Sequence, residues 1–120
     1  MKAIRGFLGV STVVIYVMTA LAITSDGVNW PAVAVRDILA LNWRSQFNTD
    51  FLIYLILVAS WISWREGFTP KGHAFGFLSV VMGGMFSFPY LLYATYAASG
   101  DLKRVLLGAH WDSARETSRG

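Results

Sequence analysis

Three stretches of this chain carry no charge: residues 6–24, 51–64 and 74–99. A helix crosses the ~30 Å hydrocarbon core of a bilayer with ~20 apolar residues in a row, so runs of this kind limit the possible folds severely. Only 14% of the 120 residues are charged, where a soluble domain is about a quarter charged. The basic residues stand beside the uncharged runs, as membrane-flanking residues do, and form no basic face for nucleic acid. The expected fold is therefore all-α. It is one integral membrane domain with three transmembrane helices, over about residues 6–24, 47–64 and 74–99, and an interfacial helix between the first two.

Lys2 and Arg5 precede the first run and Asp26-Gly27 ends it. A basic start, an apolar run and Ala20-Leu21-Ala22 also fit a cleaved signal peptide, which is the rival to a retained span. Residues 30–43 mix apolar positions with Arg36 and Asp37, and Pro31 suits a first helical turn. Trp30 and Trp43 bracket a segment too short and too charged to span. It reads as a helix lying at the headgroups or as an irregular connection. The second span is short unless it starts at Phe47, which draws Asp50 a turn into the membrane, with Asn48 or Thr49 as its cap. Trp61 and Trp64 anchor its far end, and a Thr69-Pro70-Lys71-Gly72 turn folds the second and third spans into a hairpin.

The third span is about 26 residues long, more than a crossing needs, and Pro89 supplies a kink by removing a helical hydrogen bond. A polar tail covers about residues 108–120. With three crossings, Lys2, Arg5, Arg65 and Lys71 share one side, and Arg36, Arg44, Lys103, Arg104, Arg115 and Arg119 share the other. That excess leans toward a cytoplasmic C-terminus, in a bacterial inner membrane, although the basic start argues the other way.

Gly72, Gly76, Ser79, Gly83 and Ser87 recur at helical spacing, with Gly84 beside them, and lay a stripe of small residues along the third span. Such a stripe lets another helix approach closely, from within the chain or from a partner; Ala59 and Ser63 offer a shorter pair on the second span. Asp50 is the leading candidate for a functional side chain, with Tyr54 one turn along the same face. An acid near the bilayer is costly unless paired or hydrated; its plain role is to sit at a helix start, where the dipole favours an anion. Glu66 reads as an interfacial charge beside Arg65, ~24 Å along the helix from Asp50 and out of reach of it.

No cofactor is evident. The chain has no cysteine, no glycine-rich phosphate loop and no nucleophile elbow, and neither His73 nor His110 has a second ligand at metal-binding spacing. Tyr90, Tyr93 and Tyr96 around Pro89 suit an aromatic belt or the wall of a lipid or pigment pocket.

From Asn42 to about Tyr96, the chain resembles an uncharacterised family of small bacterial membrane proteins designated domain of unknown function 2834. The resemblance rests on Phe47-Asn48-Thr49-Asp50-Phe51-Leu52, on Trp64-Arg65-Glu66-Gly67 and on Gly83-Gly84-Met85-Phe86-Ser87-Phe88-Pro89-Tyr90-Leu91-Leu92-Tyr93. Phe51 stands where the family pattern has leucine, and the tail beyond Gly100 has no counterpart. The resemblance implies a helical membrane architecture, draws interest to Asp50, Glu66 and Pro89, and assigns no reaction.

Two function classes follow. The first is an accessory or structural subunit of a larger membrane complex, of respiratory or photosynthetic type, or a homo-oligomer; its partners are membrane lipids and other subunits. The alternative is a membrane enzyme acting on an isoprenoid or similar lipid, with Asp50 as general acid.

Overall fold

The computed structural model describes residues 1–111, and their regular structure is entirely helical. In chain order the helices are α1 (Lys2–Asp26), α2 (Trp30–Leu39), α3 (Trp43–Arg65), α4 (Pro70–Met82), α5 (Gly84–Ala97) and α6 (Leu102–Leu107), followed by a 3-10 turn at Gly108–His110. Residues 112–120, with Arg115, Arg119 and most of the expected polar tail, lie outside the described residues.

Among the described residues, two helices are long and apolar enough to cross a membrane, not three: α1 with 25 residues and α3 with 23. At 1.5 Å per residue they are ~37 and ~34 Å long. The third expected span is two half-length helices of 13 and 14 residues, only ~20 Å each and short of a crossing. The break falls at Gly83, whose φ of 60° and ψ of −134° are open essentially to glycine alone. Gly83 closes α4 and opens α5: its N–H donates to the Ser79 carbonyl, and its own carbonyl accepts from the N–H and the Oγ of Ser87.

At that point the chain reverses. The Phe75 ring lies 5.7 Å from both the Phe86 and Tyr90 rings, whereas a continuous helix would set residues 75 and 90 ~22 Å apart along its axis. The kink expected at Pro89 is therefore displaced six positions upstream, and Pro89 sits inside α5. A proline removes one hydrogen bond from a helix, but a positive-φ glycine ends it.

The other helices follow from their ends. Asn42 caps α3 with a capping box: its side chain accepts from the Arg44 and Ser45 N–H groups at 3.0 and 3.3 Å, and Ser45 Oγ accepts from the Asn42 N–H at 3.0 Å. The helix thus begins well before Asn48 and Thr49, and Asp50 lies in its third turn rather than its first. Residues 30–39 form a helix with Pro31 in its first turn. Thr69 caps α4, its hydroxyl accepting from the Gly72 N–H at 3.1 Å.

Packing runs in sequence from α2 to α3, α4, α5 and α1, so the α4–α5 pair holds the two long helices apart. Between α3 and α4 the contact is close because the small-residue stripe sits there: a β-carbon at Gly72 or Gly76 would meet Glu66, Ser63 and the Ala59 carbonyl. The helix α5 runs antiparallel to α1, with Thr95 beside Arg5 and Met85 beside Tyr16. The molecule thus has two ends. Met1, the α3–α4 turn and α6 share one, with Lys2, Arg5, Arg65, Lys71, Lys103 and Arg104; Asp26, α2 and the start of α3 share the other, with Arg36 and Arg44. The separation of Lys103 and Arg104 from Lys2 and Arg65, which three crossings require, is thereby reversed, because the α4–α5 pair returns to the end it started from.

Candidate functional site

The densest polar cluster sits where α3 ends. Arg65 and Glu66 form an ion pair at 2.9 Å, with side chains 12% and 21% exposed. Tyr90, from the second arm of the reversed hairpin, completes it. Its hydroxyl donates to Glu66 Oε1 and accepts from Arg65 Nη1 at 2.9 Å. Arg65 Nε donates to the Val105 carbonyl of α6, so one guanidinium ties α3 to α5 and α6. Around it, Trp61 Nε1 donates to the Leu106 carbonyl at 3.2 Å, and the His110 ring stacks on Trp64 with centroids 4.1 Å apart. Gly108, at a φ of 53°, lets the chain pass against Arg65, because a β-carbon there would strike that side chain and its carbonyl.

A second tie joins α1 to α5 at the same end. Arg5 donates to the Thr95 hydroxyl at 3.2 Å and the Thr95 carbonyl at 3.0 Å, and its guanidinium lies 4.0 Å from the centre of the Tyr96 ring. In both clusters the donors and acceptors satisfy one another. Among the described residues no buried side-chain nitrogen or oxygen is left without a partner. These are braces: they fix helices relative to one another and aim no free group into a cavity.

A cleft of about 470 Å³ lies at the opposite end, between α1, α2 and α3 above the hairpin apex. Val80 forms its floor, and Ala22, Ala34, Phe51, Leu52 and Leu55 are among its walls. Asp26 is the one charged residue that lines it, with Asn48 as a polar neighbour and Trp30 on the wall. No group of three metal-ligating side chains occurs among the described residues.

The residues singled out from the sequence separate into distinct places. Asp50 and Tyr54 lie exposed on α3, without a hydrogen bond between them and away from the lining of this cleft. Glu66 is paired rather than simply solvated. Gly72, Gly76, Ser79, Gly83 and Ser87 are all buried, and Gly84, half-buried, lies against its own Phe88. Trp61 and Trp64 hold the C-terminal turns, Trp43 is exposed beside Phe47, and Tyr93 and Tyr96 are exposed. The link from Tyr90 to Arg65 and Glu66 had no local signal, because it spans 24 and 25 positions and exists only through the reversal at Gly83. The Gly83-Gly84 pair inside an over-long apolar run is the trace of it that the sequence carries.

No family model, curated protein or solved structure matches this chain.

Proposed function

We propose that this chain is an integral protein of the bacterial inner membrane that serves as an accessory subunit, docking on a larger helical assembly or on a second copy of itself. The observation that carries this reading is how the molecule divides its polar and apolar groups. Its interhelical polar side chains brace the α1–α5 and α3–α6 contacts, while Phe7, Val10, Val13 and Val17 on α1 and Phe47, Ile53, Ile56 and Leu57 on α3 stay exposed. Apolar faces this extensive are covered by lipid or by other helices. α1 and α3 are the spans. α2 lies at one interface, and the α4–α5 pair enters and leaves at the other.

Among the described residues, six basic residues at the shared end against two at the other favour a cytoplasmic N-terminus and α6. The test is gentle detergent extraction from the native membrane, a native gel, and mass spectrometry of the band that contains this chain. Migration with other membrane subunits, or as a defined homo-oligomer, is the expected result. Migration as a monomer refutes the subunit reading.

A further inference from the structure

The reversed hairpin leaves a gap. With α1 and α3 crossing a ~30 Å core and α4 reaching only ~20 Å into it, ~10 Å of depth between the long helices is filled by neither arm of the hairpin. The 470 Å³ cleft lies there, floored by Val80 of α4 and walled by α1, α2 and α3. Its volume falls within the ~300–1,000 Å³ of small-molecule sites. Its walls are apolar apart from Asp26 and Asn48 at the end of the molecule where α1 stops.

Those two residues give the mouth a definite sign. Asp26 is the last residue of α1, whose final turn has no basic residue, so its carboxylate adds to the negative end of the helix dipole. It accepts a hydrogen bond from the neutral Ser25 hydroxyl at 3.2 Å, and no cation pairs with it among the described residues. Asn48 spends its amide N–H on the Arg44 carbonyl at 2.8 Å, which leaves its side-chain oxygen as an acceptor. A carboxylate and an amide oxygen above an apolar cavity complement a group with several N–H donors and a positive charge, joined to a hydrocarbon chain.

We infer that the cleft between α1, α2 and α3 binds one aminophospholipid, with an acyl chain lying over Val80 and the ammonium at Asp26 and Asn48. Phosphatidylethanolamine has this chemistry. Phosphatidylglycerol has the same tails and no ammonium, which makes it the discriminating control. The inference rests on α1 and α3 crossing a bilayer and not on the docking of partners, so a monomeric band on the native gel leaves it standing.

The experiment is native mass spectrometry of the purified full-length chain in detergent, with either phosphatidylethanolamine or phosphatidylglycerol added. The wild type is expected to retain one phosphatidylethanolamine, with about a tenfold preference over phosphatidylglycerol, the size of one charge-assisted contact. Ala22→Trp and Ala34→Trp fill the cleft from two different helices, and both should lose the bound lipid. Val13→Trp, on an exposed part of α1 that does not line the cleft, should keep it. Asp26→Asn should erase the preference while leaving tail binding. Equal retention of the two lipids by the wild type, no retained lipid, or retention unchanged in both filling variants would overturn the inference. The wild-type comparison of the two lipids decides the matter even where a filling variant fails to fold.

Discussion

Replacing Gly76 with alanine is expected to weaken the α3–α4 contact, and the structure sets the size of the effect. A β-carbon at this position falls 2.8 Å from Ser63 Oγ and 2.9 Å from the Ala59 carbonyl oxygen, where unstrained contacts lie near ~3.5 Å. The serine hydroxyl can rotate away. The carbonyl belongs to the α3 backbone, so the helices must separate by about half an ångström. Overpacking of this kind costs ~1–3 kcal/mol. Alanine inside a helix in turn gains ~0.5–1 kcal/mol over glycine, so the net loss centres on ~1.2 kcal/mol within a range of ~0–2.5, a roughly eightfold fall in the folded-to-unfolded ratio.

Gly9 of α1 is the internal control, since nothing lies within 4 Å of its added β-carbon. Gly9→Ala keeps the helix gain without the clash and should be neutral or stabilising. Titrating a denaturing detergent into mixed micelles, with helicity followed by circular dichroism, compares the two variants directly. Equal stability of Gly76→Ala and Gly9→Ala would show that the stripe does not pack tightly against Ala59 and Ser63.

Two further outcomes test the architecture. Spin labels at the exposed positions 71 and 97 report on the reversal, because a continuous helix would hold them ~39 Å apart. The hairpin brings them to one end at a much shorter distance, and a pulsed spin-resonance distance near 39 Å would refute it. Tyr90→Phe keeps the ring against Phe75 and Phe86 but removes the hydroxyl that joins Glu66 and Arg65. A loss of ~1.5–3 kcal/mol is expected, as for hydrogen bonds to charged groups, read in the same detergent titration; an unchanged midpoint would show that the cluster does not brace α5.

Much of the helical content was legible from local pattern alone. The uncharged run at 6–24 and the Asp26-Gly27 stop mark α1, and Pro31 behind Trp30 marks the start of α2. Thr69-Pro70-Lys71-Gly72 reads from the sequence as a turn ahead of a span at 74, whereas the Thr69 hydroxyl caps α4 and residues 70–72 already belong to its first turn. The apolar run points to a start of α3 near Phe47, later than the true one, because the capping box of Asn42 with Ser45 stands among polar residues ahead of that run. Glu66 reads from the sequence as a charge beside Arg65 but without Tyr90, which is distant in sequence, and nothing local shows that Arg65 reaches Val105.

The sequence by itself determined that this chain is helical and apolar, with its charges at the ends of the runs, because hydropathy and capping act over one or two turns. It did not determine the path of the third run. A 26-residue apolar stretch satisfies its backbone hydrogen bonds equally well as one long helix or as two short ones, and only packing separates the two. The choice is made by Gly83 in a glycine-only conformation, by small residues that let α4 lie against Ala59 and Ser63, and by Tyr90 returning to the Arg65–Glu66 pair. These contacts join residues 9 to 25 positions apart, and their energy exists only once the chain has turned back. That turn places both braces at one end of the molecule and leaves the apolar cleft at the other.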